Sequence, residues 1–163
     1  MRVQMDRQGL RDVKYKVRGI ARRSENLTPV WPRLGSFLAQ ANRKQFTSHG
    51  AYYGTPWAPL KPDYAQWKLR NGYGRKTLVL SGGMKASFTS RPMAIEKYYK
   101  QSATYGSDHW LAKFHQYGTH RNGKQANPPR PMMVKNRAVV KAARDMIDSY
   151  VKTGKISAVR GYL

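Results

Sequence analysis

The sequence predicts an α+β fold: a small antiparallel β-sheet packed with an N-terminal helical region and a C-terminal helix, joined by long loops. Three observations carry this. Apolar residues recur at the 3.6-residue period near both ends of the chain and across residues 34–46. Short apolar or alternating runs between residues 78 and 105 have the length and spacing of strands. Glycine and proline punctuate the stretches between them, above all 48–62 and 118–131. With 163 residues and 40% hydrophobic content, the chain suits a single domain with a modest core. Its expected parts are a basic helical arm at 1–25, a core at 26–154 and a tail at 155–163.

The first element is an amphipathic helix over residues 7–23. Leu10, Val13, Val17 and Ile20 share one face, and Arg7, Arg11, Lys14, Arg18 and Arg22 form a neighbouring stripe. A second helix starts near Pro29–Pro32, with Thr28 as its cap and a proline in its first turn. Leu34, Phe37, Leu38, Ala41, Gln45 and Phe46 carry it onward. Residues 48–56 are loop. Trp57-Ala58-Pro59-Leu60-Lys61-Pro62 is extended, because two prolines exclude a helix interior, and Trp57 and Leu60 pin it to the core. A short helix follows over Tyr64–Lys68, closed by Asn71-Gly72-Tyr73-Gly74.

Leu78-Val79-Leu80 is an apolar strand broken by Ser81-Gly82-Gly83. Met84–Thr89 alternates with period two, and Ile95–Tyr99 and Ser102–Tyr105 also read as strands. Trp110, Leu111, Phe114 and Tyr117 fit one or two helical turns, ended by Gly118. Thr119–Asn127 reads as a polar, exposed loop, and Pro128-Pro129-Arg130-Pro131 as a stiff extended segment. Asn136 caps the last helix. Val139, Val140, Ala143, Met146, Ile147, Tyr150 and Val151 form its apolar face, and Gly154 ends it.

Charge is the strongest compositional signal. Lys and Arg number 31 against 8 Asp and Glu, a formal charge of +23. The excess is uniform along the chain: 11 basic to 3 acidic residues in 1–50, 9 to 2 in 51–103, and 11 to 3 in 104–163. The body itself is cationic, so a polyanion or acidic neighbours must offset its self-repulsion. Nucleic acid is the first candidate, an anionic membrane surface the second. There is no cysteine, which excludes disulfide and thiolate chemistry. No run approaches the ~20 apolar residues of a membrane span, and nothing near Arg2 resembles a signal peptide.

Catalytic patterns are weak. The eight carboxylates are scattered, whereas metal-dependent nucleases and glycosidases gather theirs at one point. Asp145 and Asp148 fit a solvated pair on one helix face. His109, His115 and His120 lack the i, i+4 spacing of a helical zinc pair, and His115 suits a half-buried histidine hydrogen-bonded near Gln116 and the loop. Neither Gly72-Tyr73-Gly74 nor Gly82-Gly83 has the context of a phosphate loop. The 11 tyrosines and 4 tryptophans lie mostly in apolar registers, which favours core or subunit packing over base stacking. No enzyme activity, cofactor or metal site is expected.

Four landmarks stand in order: Trp57-Ala58-Pro59-Leu60 with Pro62; Leu78-Val79-Leu80-Ser81-Gly82-Gly83-Met84-Lys85-Ala86-Ser87; Leu111-Ala112-Lys113-Phe114-His115-Gln116-Tyr117-Gly118; and Pro129-Arg130-Pro131 before the last helix. Over residues 34–151 this resembles the phage virion morphogenesis, or tail completion, family of tailed bacteriophages. The motifs of that family are Trp-x-Pro-Leu, an apolar strand ending in Thr-Gly-x-Leu-x-x-Ser, Tyr-Ala-x-x-His-Gln-x-Gly, and Pro-x-Arg-Pro. Ser81, Met84 and Leu111 depart from them.

The resemblance implies a structural component of the head–tail junction: a neck, tail completion or tail terminator protein, assembled as a hexameric ring around the DNA channel. Its partners would be copies of itself, neighbouring neck, connector and tail-tube proteins, and viral double-stranded DNA, with no membrane. Its location would be the virion, and the host cytoplasm during assembly. Trp57, Leu60, Pro62, Ser81, Gly82, Phe114, His115, Gln116, Gly118, Arg130 and Pro131 would be the motif and assembly residues, with Arg130 an anchor between subunits. Arg7, Arg11, Lys14, Arg18 and Arg22 would face DNA or acidic partners. Two other classes stay open. A stand-alone, sequence-independent nucleic-acid-binding protein would bind tightly and with strong salt dependence. A basic nuclease would depend on a metal and on His115 or Asp108.

Overall fold

The computed structural model describes residues 7–157; the expected tail beyond Ser157 lies outside them. Within that range the fold is α+β, with six α-helices and two separate two-stranded antiparallel sheets. The helices are α1 (Arg7–Glu25), α2 (Trp31–Thr47), α3 (Pro62–Arg70), α4 (Gly83–Thr89), α5 (Ala112–Tyr117) and α6 (Arg137–Thr153). The strands are β1 (Ile95–Tyr98), β2 (Ala103–Gly106), β3 (Thr119–Arg121) and β4 (Lys124–Asn127). No described helix is long and apolar enough to cross a membrane.

Helix α2 is the spine. Its first half holds Trp31, Leu34 and Phe37 against Ala142 and Met146 of α6, with Tyr98 and Tyr105 of the β1–β2 hairpin alongside. Its last turn carries Phe46 into a second cluster with Trp57, Met84, Phe88, Ala112 and Met132. Fully burying one such side chain contributes about 1.5–3 kcal/mol. Polar residues of α2 then tie the two clusters to flanking backbone. Asn42 Nδ2 donates to the Phe88 carbonyl at 3.1 Å, and Arg43 Nε donates to Thr89 at 3.0 Å. These bonds satisfy carbonyls that the end of α4 would otherwise leave open.

Three expectations need correction. Thr28 does not cap α2: residues Thr28–Val30 form a 3-10 turn, the Asn26 side chain accepts from the Thr28 amide at 3.1 Å, and Pro32 lies in the first turn of α2. Met84–Thr89 is helix, not strand. Met84 and Phe88, four apart, both face the core, whereas Ala86 is exposed, the reverse of what a strand would require. Leu78-Val79-Leu80 is likewise no strand; Leu78 sits at φ 59 in an irregular turn.

Thr119–Asn127, expected as loop, is the β3–β4 hairpin. Asn122 and Gly123 both take positive φ, 51 and 72, the pattern of a two-residue type I′ turn. The strands expected at Ile95–Tyr99 and Ser102–Tyr105 are present as β1 and β2, which pair antiparallel over Ile95–Tyr98 and Ala103–Gly106. At α6, Asn136 Oδ1 accepts from the Val139 amide at 2.9 Å, and Gly154 closes the helix at φ 77.

Helix α1 differs from the rest, because it buries no residue. Leu10, Val13, Val17 and Ile20 are 40–58% exposed, so its apolar face is uncovered by the described chain. Its C-terminal end is fastened to the described chain: Arg23 Nε donates to the Val151 carbonyl at 2.8 Å and Nη2 to Lys152 at 3.1 Å, at the end of α6. A cation there also complements the negative end of the α6 dipole.

Candidate docking cavity

The four sequence landmarks meet around one cavity of about 520 Å³. Its apolar walls include Leu60, Leu78, Val79, Met84, Leu111 and Phe114. Lys68, His109, His115 and Arg130 supply its polar groups, and no carboxylate of the described residues lines it.

The extended 57–62 segment forms one side. Its Trp57 is buried, and the indole Nε1 donates to the Pro131 carbonyl at 2.9 Å. Gln45 of α2 donates to the same carbonyl at 3.0 Å, while its Oε1 accepts from the Tyr53 amide. Arg130, also buried, sends Nε to Ala58 O at 2.9 Å and Nη2 to Pro59 O at 3.0 Å. Within the chain Arg130 is a clasp, joining the Trp-x-Pro-Leu segment to the Pro-Arg-Pro segment. Pro62 is exposed at the start of α3, where its missing N–H costs nothing.

Helix α5 forms the opposite side. The Arg130 amide donates to the His115 carbonyl at 2.6 Å. Gln116 accepts from the amides of Met132 and Met133 at 2.9 and 3.3 Å and donates to the Met133 carbonyl at 2.8 Å. One amide side chain thereby fastens the irregular 131–133 segment to the helix. Gly118 has φ 76 and ψ 178, a region only glycine takes readily, and a Cβ there would lie 2.8 Å from Asn127 O. His115 is half-buried; burial, the nearby Arg130 charge and His109 all hold its pKa below the ordinary 6.5. Phe114 stays 39% exposed at the rim.

Ser81 and Gly82 bound the cavity where the turn enters α4; Gly82 is the left-handed residue before that helix, at φ 92. The motif residues therefore converge. The stripe of Arg7, Arg11, Lys14, Arg18 and Arg22 does not join them: it lies exposed along α1. His120 is exposed on β3, away from the pair His109 and His115 that lines the cavity. Among the described residues, no three His, Asp or Glu gather as metal ligands.

Lys68 was not singled out from sequence, where Tyr64–Lys68 reads only as a short helix. It is 1% exposed. Its Nζ donates to the carbonyls of Lys76 and Val79, both at 2.7 Å, and burial lowers its pKa. On the same helix, Trp67 stacks between the cavity-lining Tyr64 and Tyr73 of the following turn, with ring centroids 5.6 and 5.8 Å apart. All three rings are more than 40% exposed. The cavity thus combines apolar walls with the cationic Lys68 and Arg130.

No curated protein and no solved structure matches the chain. The sequence profile of the phage virion morphogenesis family matches residues 9–152, nearly the whole length and all four landmarks. The chain belongs to the phage virion morphogenesis family, and its role is a structural or assembly role in the phage virion.

Proposed function

We propose that the protein is a structural component of the head–tail junction, a neck, tail completion or tail terminator protein, that closes with copies of itself into a hexameric ring around the DNA. The observation that carries this reading is α1. It is a 19-residue helix, about 28 Å long, with an uncovered apolar face beside a cationic stripe. Most helical stability in proteins comes from packing an amphipathic face, so the face calls for a neighbouring subunit. The cationic stripe then meets either the genome or acidic ring neighbours. Attraction to phosphates would be independent of sequence and would weaken steeply with salt, through counterion release. Neighbouring acidic surfaces would use the same charges to fix register.

The reading is tested by imaging intact particles at a resolution that separates collar components. Density that fits α2, α6 and the two hairpins, repeated around the channel between shell and tail, supports it. Absence of the chain from that collar sinks it. Tight DNA binding by the isolated monomer, with no incorporation into particles, would favour the stand-alone nucleic-acid-binding alternative.

A further inference from the structure

We propose that the cavity bounded by α3, the 78–82 turn and α5 is a docking site for an acidic, apolar segment of a partner protein, which places a large apolar side chain between the walls and a carboxylate at Lys68 and Arg130. The assembly reading enters only in making that partner another virion protein; the chemistry of the cavity stands without it.

Lys68 is the starting point. An ammonium has three N–H donors, and among the described residues two acceptors are in reach, the carbonyls of Lys76 and Val79. No carboxylate of the described residues is within ion-pairing distance; the two ion pairs present are Arg91–Glu96 and Lys141–Asp145. A charge held out of water without a counter-charge is costly. Arg130, with five N–H donors, uses Nε and Nη2 on Ala58 and Pro59 and lines the same cavity. The site therefore holds two buried cations and no anion, and a carboxylate is the group it lacks.

The walls say what the carboxylate must be attached to. They are mostly apolar, and 520 Å³ falls within the roughly 300–1,000 Å³ of ligand pockets. A phosphodiester backbone would meet the cations but leave the apolar walls unfilled. The lining residues Tyr64, Leu80 and Phe114 are 39–44% exposed, and the apolar surface continues beyond the cavity onto Trp67, 46% exposed and stacked on Tyr64. A footprint that runs out of the cavity suits a chain segment better than a compact molecule. A second copy of this chain offers few carboxylates to such a site, 8 Asp and Glu against 31 Lys and Arg.

The test titrates the full chain, observed by amide NMR, with acetyl-Phe-Glu-Leu-amide and with its isostere acetyl-Phe-Gln-Leu-amide. Saturable shifts at Val79, Leu111 and His115 are expected with the first peptide, and about tenfold weaker binding with the second, the worth of one charge-assisted hydrogen bond. Leu80→Glu, at an exposed rim position, should weaken the acidic peptide about tenfold without touching the fold. Lys68→Met should narrow the difference between the two peptides, with Arg130 left as the one cation facing the carboxylate. Equal binding of both peptides to the wild-type chain, or shifts that spread without saturating, overturns the proposal.

Benzoylphenylalanine placed at Leu80 in assembling particles identifies the partner. A cross-link mapped to a segment of another virion protein that carries Asp or Glu beside apolar residues is expected. A cross-link to this chain's own copies or to DNA overturns the partner assignment. Loss of peptide discrimination in a chain still seen at the collar removes the docking site alone. Peptide discrimination by a chain absent from the collar removes the head–tail reading alone.

Discussion

The indole N–H of Trp57 donates to the carbonyl oxygen of Pro131 across 74 positions of chain, at 2.9 Å. This bond joins the first and last sequence landmarks, and Gln45 shares its acceptor. Trp57 also meets Phe46 edge to face, ring centroids 5.3 Å apart. Trp57→Phe keeps most of that ring contact and deletes the donor, so it should cost about 1 kcal/mol, because Gln45 still satisfies the carbonyl. Trp57→Ala should cost about 3–5 kcal/mol through the cavity it leaves. Urea midpoints at unchanged slope measure both. Equal losses from the two variants would show that the hydrogen bond outweighs the packing.

Gly35 lies inside α2, where helix propensity alone says that Gly→Ala should stabilise by about 1 kcal/mol. The structure reverses the sign. A Cβ at Gly35 would collide with Arg91 Nη1 and lie 2.8 Å from Tyr105 Cε1 and 2.9 Å from Glu96 Oε1. Those groups form one network: Glu96 accepts from Arg91, from the Tyr98 hydroxyl and from the Met93 amide, and Arg91 also reaches Pro32 O. Gly35→Ala should therefore destabilise by about 1–3 kcal/mol, the usual cost of overpacking. A raised thermal midpoint would refute this.

The parts of this fold that were legible in sequence are those with long periods. Helices α1, α2 and α6 repeat their apolar residues over about three turns or more, and Asn136 and Gly154 mark the ends of α6. Short segments misled. Six residues from Met84 to Thr89 fit a period of two as well as a turn and a half of helix, and only the exposure of Ala86 decides between them. The Asn122-Gly123 pair was a sound hairpin signal, masked because β3 and β4 have no apolar face to alternate with it. The cavity was legible in outline, since the motifs name its walls. Its floor was not, because nothing local distinguishes a buried Lys68 from its exposed neighbours Trp67 and Leu69. Its burial follows from the 76–79 turn wrapping over it.

Acid should destabilise the protein in two steps. Burial, Arg130 and His109 lower the folded-state pKa of His115 below 6.5, so between the two values the unfolded chain binds more protons. Stability is then full above about pH 6.5 and falls as the pH drops through and below it. At Glu96, burial raises the pKa, but the bonds from Tyr98, Met93 and Arg91 outweigh it and leave the carboxyl below 4.5. Its contribution is present above pH 4.5 and is lost as the pH falls below that value. His115→Gln should flatten the upper step and leave the lower one. Urea midpoints from pH 8 to 3 would show this, and an unchanged upper step in the variant would place its origin elsewhere.

The uncovered face of α1 gives the sharpest separation between folding and assembly. Val13 and Val17 are 52% and 58% exposed, and α1 buries nothing in the described chain. Val13→Asp with Val17→Asp should therefore shift the urea midpoint of the isolated chain by no more than about 0.5 kcal/mol of stability, as for other surface changes. In the particle the same face is expected to lie against a neighbouring subunit, where each buried valine contributes about 1.5–3 kcal/mol and a buried, unpaired aspartate opposes closure. The double variant should fold normally and yield particles that lack the protein and do not infect. Lys14→Gln with Arg18→Gln, on the cationic stripe of the same helix, should leave incorporation intact if that stripe faces the genome and reduce it if the stripe sets the register of acidic neighbours. Full incorporation of the Val13/Val17 variant would mean that the apolar face meets only solvent, and the ring would have to be held by another surface.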